Sequence, residues 1–211
     1  MTLGIVGVVT ALTIPQLVAN HQKHVVINKV KKFYSEMNQV MQYSIADNGD
    51  YNTWDFSLHS YDFYTKYFEK YLKKVTSVQK NIAVCGDFLG GIKVVFTDGT
   101  QMVFSFTSYY MLDVEGKEFN AYAPVLIFYT SAKNHENVDG LDINPMRERF
   151  YFTINDKGAI VPPNLKATRD SNLANCKKNL TCNGEATNTG HQECSTLIYK
   201  DGWKISNDYP W

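Results

Sequence analysis

The sequence has no surplus of either charge. Twenty-one Lys and Arg balance twenty-one Asp and Glu in 211 residues, so the formal net charge is +0 at pH 7. A duplex-binding protein usually carries a basic excess, so a nucleic-acid partner is not expected. Also missing are a G-x-S-x-G elbow, an H-E-x-x-H pair, a G-x-x-x-x-G-K-[ST] loop and a C-x-x-C knuckle. Gly86, Gly90 and Gly91 do not make a phosphate cradle, and the five histidines are scattered. Without such a constellation no catalytic residue and no cofactor are expected, and the protein is read as non-enzymatic. Internal repeats and low-complexity tracts are absent too. The one absence confined to a single place is of charge: Met1 to Asn20 contains no Asp, Glu, Lys or Arg.

What fills that stretch is apolar. Leu3 to Ile14 reads LGIVGVVTALTI, carried by Leu3, Ile5, Val6, Val8, Val9, Leu12 and Ile14, with Pro15 and Leu17 following. About 20 such residues suffice to span a bilayer. The alternatives are a buried core helix, against which the terminal position and the lack of any polar face for solvent argue, and a secretory signal, which would have Lys or Arg before its apolar region. Residues 1–19 are therefore read as a membrane-inserting or filament-core helix. Residues 20–48 continue it with an amphipathic stripe, Val26, Val30, Phe33, Met37, Val40 and Ser44, at helical spacing. Lys23, Lys29, Lys31 and Lys32, beside His21 and His24, suit a membrane–water boundary or a solvated face. Asn48-Gly49 predicts the helix end, and Pro15 a kink. A helix of about 47 residues would be some 70 Å long, too long for a compact domain of this size, so half of it should protrude.

Residues 49–211 predict a sheet-bearing head, making the chain α+β. A second helix is expected from the lines Phe63, Tyr67, Tyr71 and Tyr64, Phe68, Leu72. Ile92–Phe96 and Gln101–Phe106 flank an Asp98-Gly99 hairpin turn. Pro124–Tyr129, Arg149–Ile154 and Ala159–Val161 are further strands, and 131–145 and 164–193 are expected loops. The closing aromatics, with Trp203 and Trp211, should dock on the body. Cys85, Cys176, Cys182 and Cys194 lack zinc-finger spacing despite His191 nearby, so disulfides outside the cytoplasm are expected, with Cys182–Cys194 or Cys176–Cys194 closing a short loop. Asp139, Asp142 and Asn144 offer too few oxygens for a recognisable calcium loop, and no metal site is expected.

The segment from Thr2 to Pro15, closed by its proline and continued through Lys31-Lys32-Phe33-Tyr34, resembles the N-terminal helix of type IV pilins and type II secretion pseudopilins. Asp47-Asn48-Gly49 with Trp54-Asp55, the Asp98-Gly99-Thr100 turn and Asp201–Ile205 look like a bacterial branch of these prepilin-like proteins. The resemblance implies a long helix packed on an antiparallel sheet head with a disulfide-stapled C-terminal region. It also implies a basic leader, a processing glycine and an acidic residue early in the helix, none of which this chain carries, so Met1 is expected to fall with the helix already under way. The implied partners are copies of itself and other pilins, the inner-membrane assembly machinery, and lipid before assembly. The implied location is the bacterial inner membrane, then an extracytoplasmic filament. The alternative is a secreted, non-enzymatic binding domain with an atypical signal, using Trp203–Trp211 or the 139–144 loop.

Overall fold

A computed structural model describes residues 2–82, 90–112, 118–131, 145–177 and 192–211, with the side chains of 2–14, 106–112 and 118–123 also outside the description. Helix α1 spans Thr2–Asn48 as one element, running through Pro15. Its C-terminus is set by Gly49, at φ 82, whose N–H donates to the Ile45 carbonyl at 2.9 Å. A left-handed residue here is the usual glycine stop. From Ile27 onward, α1 buries Ile27, Val30, Phe33, Met37, Val40, Met41 and Ser44 against the head.

The head is a six-stranded antiparallel meander in sequence order: β1 (Val75–Ile82), β2 (Gly91–Phe96), β3 (Gln101–Leu112), β4 (Glu118–Tyr129), β5 (Arg149–Ile154) and β6 (Ile160–Val161). Alternation along the strands makes two apolar faces. Ile92, Phe104, Leu126 and Phe152 line up in register across β2 to β5, as do Val94, Met102, Phe128 and Phe150, and both rows belong to the core shared with α1. Val103, Val125, Ile127, Tyr129 and Tyr151 bury on the other face. The Asp98-Gly99 turn joins β2 to β3 as expected, with Gly99 at φ 75.

The short strand β6 would leave its backbone unpaired on the side away from β5, and a helix residue completes it. Asn38 of α1 donates to the Ile160 carbonyl at 3.2 Å and accepts from the Ile160 N–H at 3.0 Å. One amide thus stands in for a neighbouring strand and fixes the rotation of α1. The turn before β6 packs equally close. Gly158 has φ 74, and a Cβ there would lie 2.7 Å from Ile45 Cδ1. Only glycine fits that approach.

Helix α2 (Ser60–Tyr64) runs on as a π turn over Thr65–Glu69 and buries Phe63, Tyr64, Tyr67 and Phe68. Trp54 stacks on Tyr67 with ring centroids 4.2 Å apart, and Phe63 on Phe104 at 5.8 Å. The short α3 (Pro145–Glu148) leads into β5. The expectation of one loop over 164–193 needs correction. Arg169–Cys176 forms helix α4, opened by Thr168, whose hydroxyl accepts from the Ser171 N–H at 3.2 Å. Helix α5 (Cys194–Lys200) follows, and the aromatic tail docks: buried Tyr209 donates to the Met146 carbonyl at 2.6 Å.

Candidate assembly helix and the groups that hold it

Helix α1 has two unlike parts. From Ile27 on, one face is buried, whereas from Pro15 to Val25 no residue is buried. Leu17 is 71% exposed, Val18 48% and Val25 38%. Burying a Leu or Val side chain is worth about 1.5–3 kcal/mol. Three uncovered in water are a standing drive toward a cover. Pro15 and Leu17 are thus solvent-facing. Leu3, Ile5, Val6, Val8, Val9, Leu12 and Ile14 continue the same helical backbone, and their side chains lie outside the described residues. Among the described residues, no helix is long and apolar enough to cross a membrane.

Three of the four junction lysines are fastened to the head. Lys23 Nζ sits 5.8 Å from the centre of the Trp211 ring, which also meets Arg147 at 4.8 Å. Lys29 donates to the Thr130 carbonyl at 2.7 Å. Lys32 pairs with Asp98 in the β2–β3 turn at 2.7 Å, while Lys31 stays exposed. These ties set where the bare part of α1 begins. Arg147 and Thr130 come from the far end of the sheet, which is why no spacing in the sequence announced them.

Burial works against ionising Asp98, but the Lys32 ammonium and the Thr100 hydroxyl and N–H outweigh it and hold the carboxyl down to about 2. A depressed carboxyl stabilises the fold above its ordinary pKa near 3.8, and that contribution fades as pH falls through about 2. Both partners are over a third exposed, at 46% and 42%, so the pair should be worth less than about 1 kcal/mol. Asp98→Asn keeps an acceptor for Thr100. Urea midpoints of the two proteins should differ at pH 5 and converge toward pH 2; a constant gap would mean that the charge is not responsible.

The C-terminal region is stapled. Cys176 and Cys194 form a disulfide with Cα atoms 4.7 Å apart, joining the end of α4 to the start of α5. This selects one of the two expected pairings. Cys85 and Cys182 lie outside the described residues, as do His191, Asp139, Asp142 and Asn144. The residues just before each bridged cysteine are also joined, Asn175 donating to the buried Glu193 carboxylate at 2.8 Å. Asn164 and Asn172 donate to the same carboxylate, each at 2.5 Å. At the other end of α4, Arg169 forks onto Asp201 at 2.7 and 2.8 Å and reaches Asp208 at 2.8 Å. Its guanidinium keeps both carboxyls below the usual range. Such forks carry geometric precision as well as attraction.

Trp203 and Trp211 do not come together as one platform. Trp203 packs on Tyr34 at 5.0 Å and Tyr199 at 5.4 Å, whereas Trp211 meets the Lys23 and Arg147 cations. Among the described residues no group of three or more His, Cys, Asp or Glu side chains gathers to hold a metal.

The model of a family described as a family of unknown function, DUF6613, matches residues 16–211. The match therefore takes in the packed part of α1 and the whole head, starting one residue after Pro15. No curated protein and no solved structure matches the chain.

Proposed function

We propose that this chain, which belongs to the DUF6613 family, is a structural subunit of a filament of the type IV pilus or type II secretion pseudopilus kind, major or minor. It assembles through the first part of α1. The observation that carries the reading is that α1, packed on the head from Ile27 onward, has no buried residue among its described side chains from Pro15 to Val25. A helix bound to a rigid head over its second half presents its first half at a fixed angle, as a repeating subunit requires. The uncovered Leu17, Val18 and Val25, with the apolar run before them, gain a cover when helices from several copies bundle. Before assembly, lipid serves the same apolar sequence. The Cys176–Cys194 bridge suits a head displayed in an oxidising compartment. No catalytic step is assigned to the protein.

The alternative, a secreted binding module, draws less support, because the ring contacts of Trp203 and Trp211 are with the protein's own side chains. Fractionation separates the two. Wild-type protein should be recovered from membranes and from sheared, sedimentable filaments. Replacing the exposed Leu17 and Val18 by glutamate should leave the head's thermal unfolding unchanged yet cut the sedimentable fraction by more than about tenfold, the equivalent of 1.4 kcal/mol. Recovery of both proteins as a soluble monomer in equal yield would sink the proposal.

A further inference from the structure

The groove between α1, residues 71–74 and the β2–β3 turn encloses a cavity of about 220 Å³. That is smaller than the ~300–1,000 Å³ typical of drug-sized ligands. Its floor is apolar: Phe33, Met37, Val40 and Phe128 are all buried. Its mouth is cationic, with Lys29, Lys32, Lys73 and Lys74 against only Glu36 and Asp98. In a chain whose total charge is zero, this is a local concentration.

The carboxylates nearby are largely committed. Asp98 is held by Lys32, and Asp47, close to Tyr71, is held by Lys70 at 2.6 Å and by the Tyr71 hydroxyl at 2.9 Å. Lys73 and Lys74 have no ion-pair partner among the described residues. Lys74 is moreover in a left-handed conformation, φ 61, which a residue with a side chain adopts at a cost. Its carbonyl accepts from the Thr97 N–H at 2.9 Å, so the hairpin holds this backbone in place. Strained residues held by surrounding structure recur at ligand clamps.

We propose that this groove binds a short amphipathic carboxylate, with its apolar body on Phe33, Met37 and Val40 and its head group between Lys73 and Lys74. Lysines act as point charges, and the mouth offers neither an arginine fork nor a helix N-terminus, the devices that favour phosphate. The four lysines exceed Glu36 and Asp98 by two positive charges, so one carboxylate is held with charge to spare, and the volume limits the body to a short chain or one ring. The proposal stands whether or not the chain assembles into a filament.

The test uses the full chain, with the backbone amide shifts of Thr97, Asp98 and Thr100 followed by NMR during titration with octanoate. These residues lie at the groove and away from the bare part of α1, so binding to exposed helix is not mistaken for it. Octylamine has the same body and the opposite charge. Lys73 and Lys74 are exposed, so replacing both by glutamate should leave the fold intact. Octanoate should shift these amides saturably with a Kd near about 1 mM. The double glutamate variant should bind more than about tenfold more weakly, and octylamine should not saturate. Equal binding of octylamine, undiminished binding by the variant, or no saturable shift with octanoate would each overturn the proposal.

Discussion

Replacing Phe33 by alanine is expected to lower the free energy of unfolding by about 3–5 kcal/mol. Phe33 is the point at which α1 meets the middle of the sheet. It is 4% exposed, its ring lies 4.4 Å from that of Phe128 in a stacked arrangement, and it also meets Phe152 at 5.6 Å. Truncation removes the transfer free energy of the ring and leaves a void that neighbouring aromatics on a rigid sheet cannot close. The lost ring pairs add about 0.5–1.5 kcal/mol each beyond area burial. Urea denaturation of the two proteins should show a lower midpoint with an unchanged slope. Leu17→Ala is the matching control. Leu17 is 71% exposed, so its truncation should stay within about 0.5 kcal/mol in the monomer. Equal effects at both positions would mean that the division of α1 into packed and bare parts is wrong.

The packed part of α1 was legible in the sequence because its stripe recurs at helical spacing, although residues 20–25, expected to belong to it, are not buried. The hairpin around Asp98-Gly99 and the strand Arg149–Ile154 were legible for the same reason, since turn chemistry and alternation operate over a few residues. Strand β1 was not anticipated. Its burial follows no alternation, being exposed at Thr76, Ser77, Gln79, Lys80 and Asn81, and its register with β2 shifts twice. An edge strand with one neighbour and a wet face has little apolar pattern to show. Helix α4 was hidden in a polar stretch, Arg169-Asp-Ser-Asn-Leu-Ala-Asn-Cys176, whose helicity comes from a cap, a disulfide and the buried carboxylate of a residue far along the chain. Asn38 illustrates the same limit. On the helical wheel it is an unremarkable polar position, and its role depends on where Ile160 arrives 122 residues later. The cationic groove likewise draws on four separate segments, and only folding brings them to one mouth.

Converting Cys176 and Cys194 together to serine is expected to cost about 3 kcal/mol, the chain-entropy value for a closed loop of this size. The bridge spans 18 residues in sequence. At 2–4 °C per kcal/mol for a chain of this length, the melting temperature should fall by about 6–12 °C. The bridge acts on the unfolded state as well as on the folded one. Helix α4 is eight residues long, too short to persist alone, and only Asn172 and Cys176 of it are buried. It is held to α5 by the bridge, by the Asn172 and Asn175 amides on Glu193, by the Arg169 fork onto Asp201 and by the Lys200 ammonium, which donates to Asn172. With the bridge gone, the Asn175–Glu193 hydrogen bond remains next to the break, so α4 should loosen without detaching. Differential scanning calorimetry of the double variant measures the cost directly, and hydrogen exchange should place it in α4 and α5 while the sheet stays protected. An unchanged melting temperature would show that the amides on Glu193 and the Arg169 and Lys200 contacts hold the C-terminal region without the bridge. The head would then have no need of an oxidising compartment, and the filament reading would rest on α1 alone.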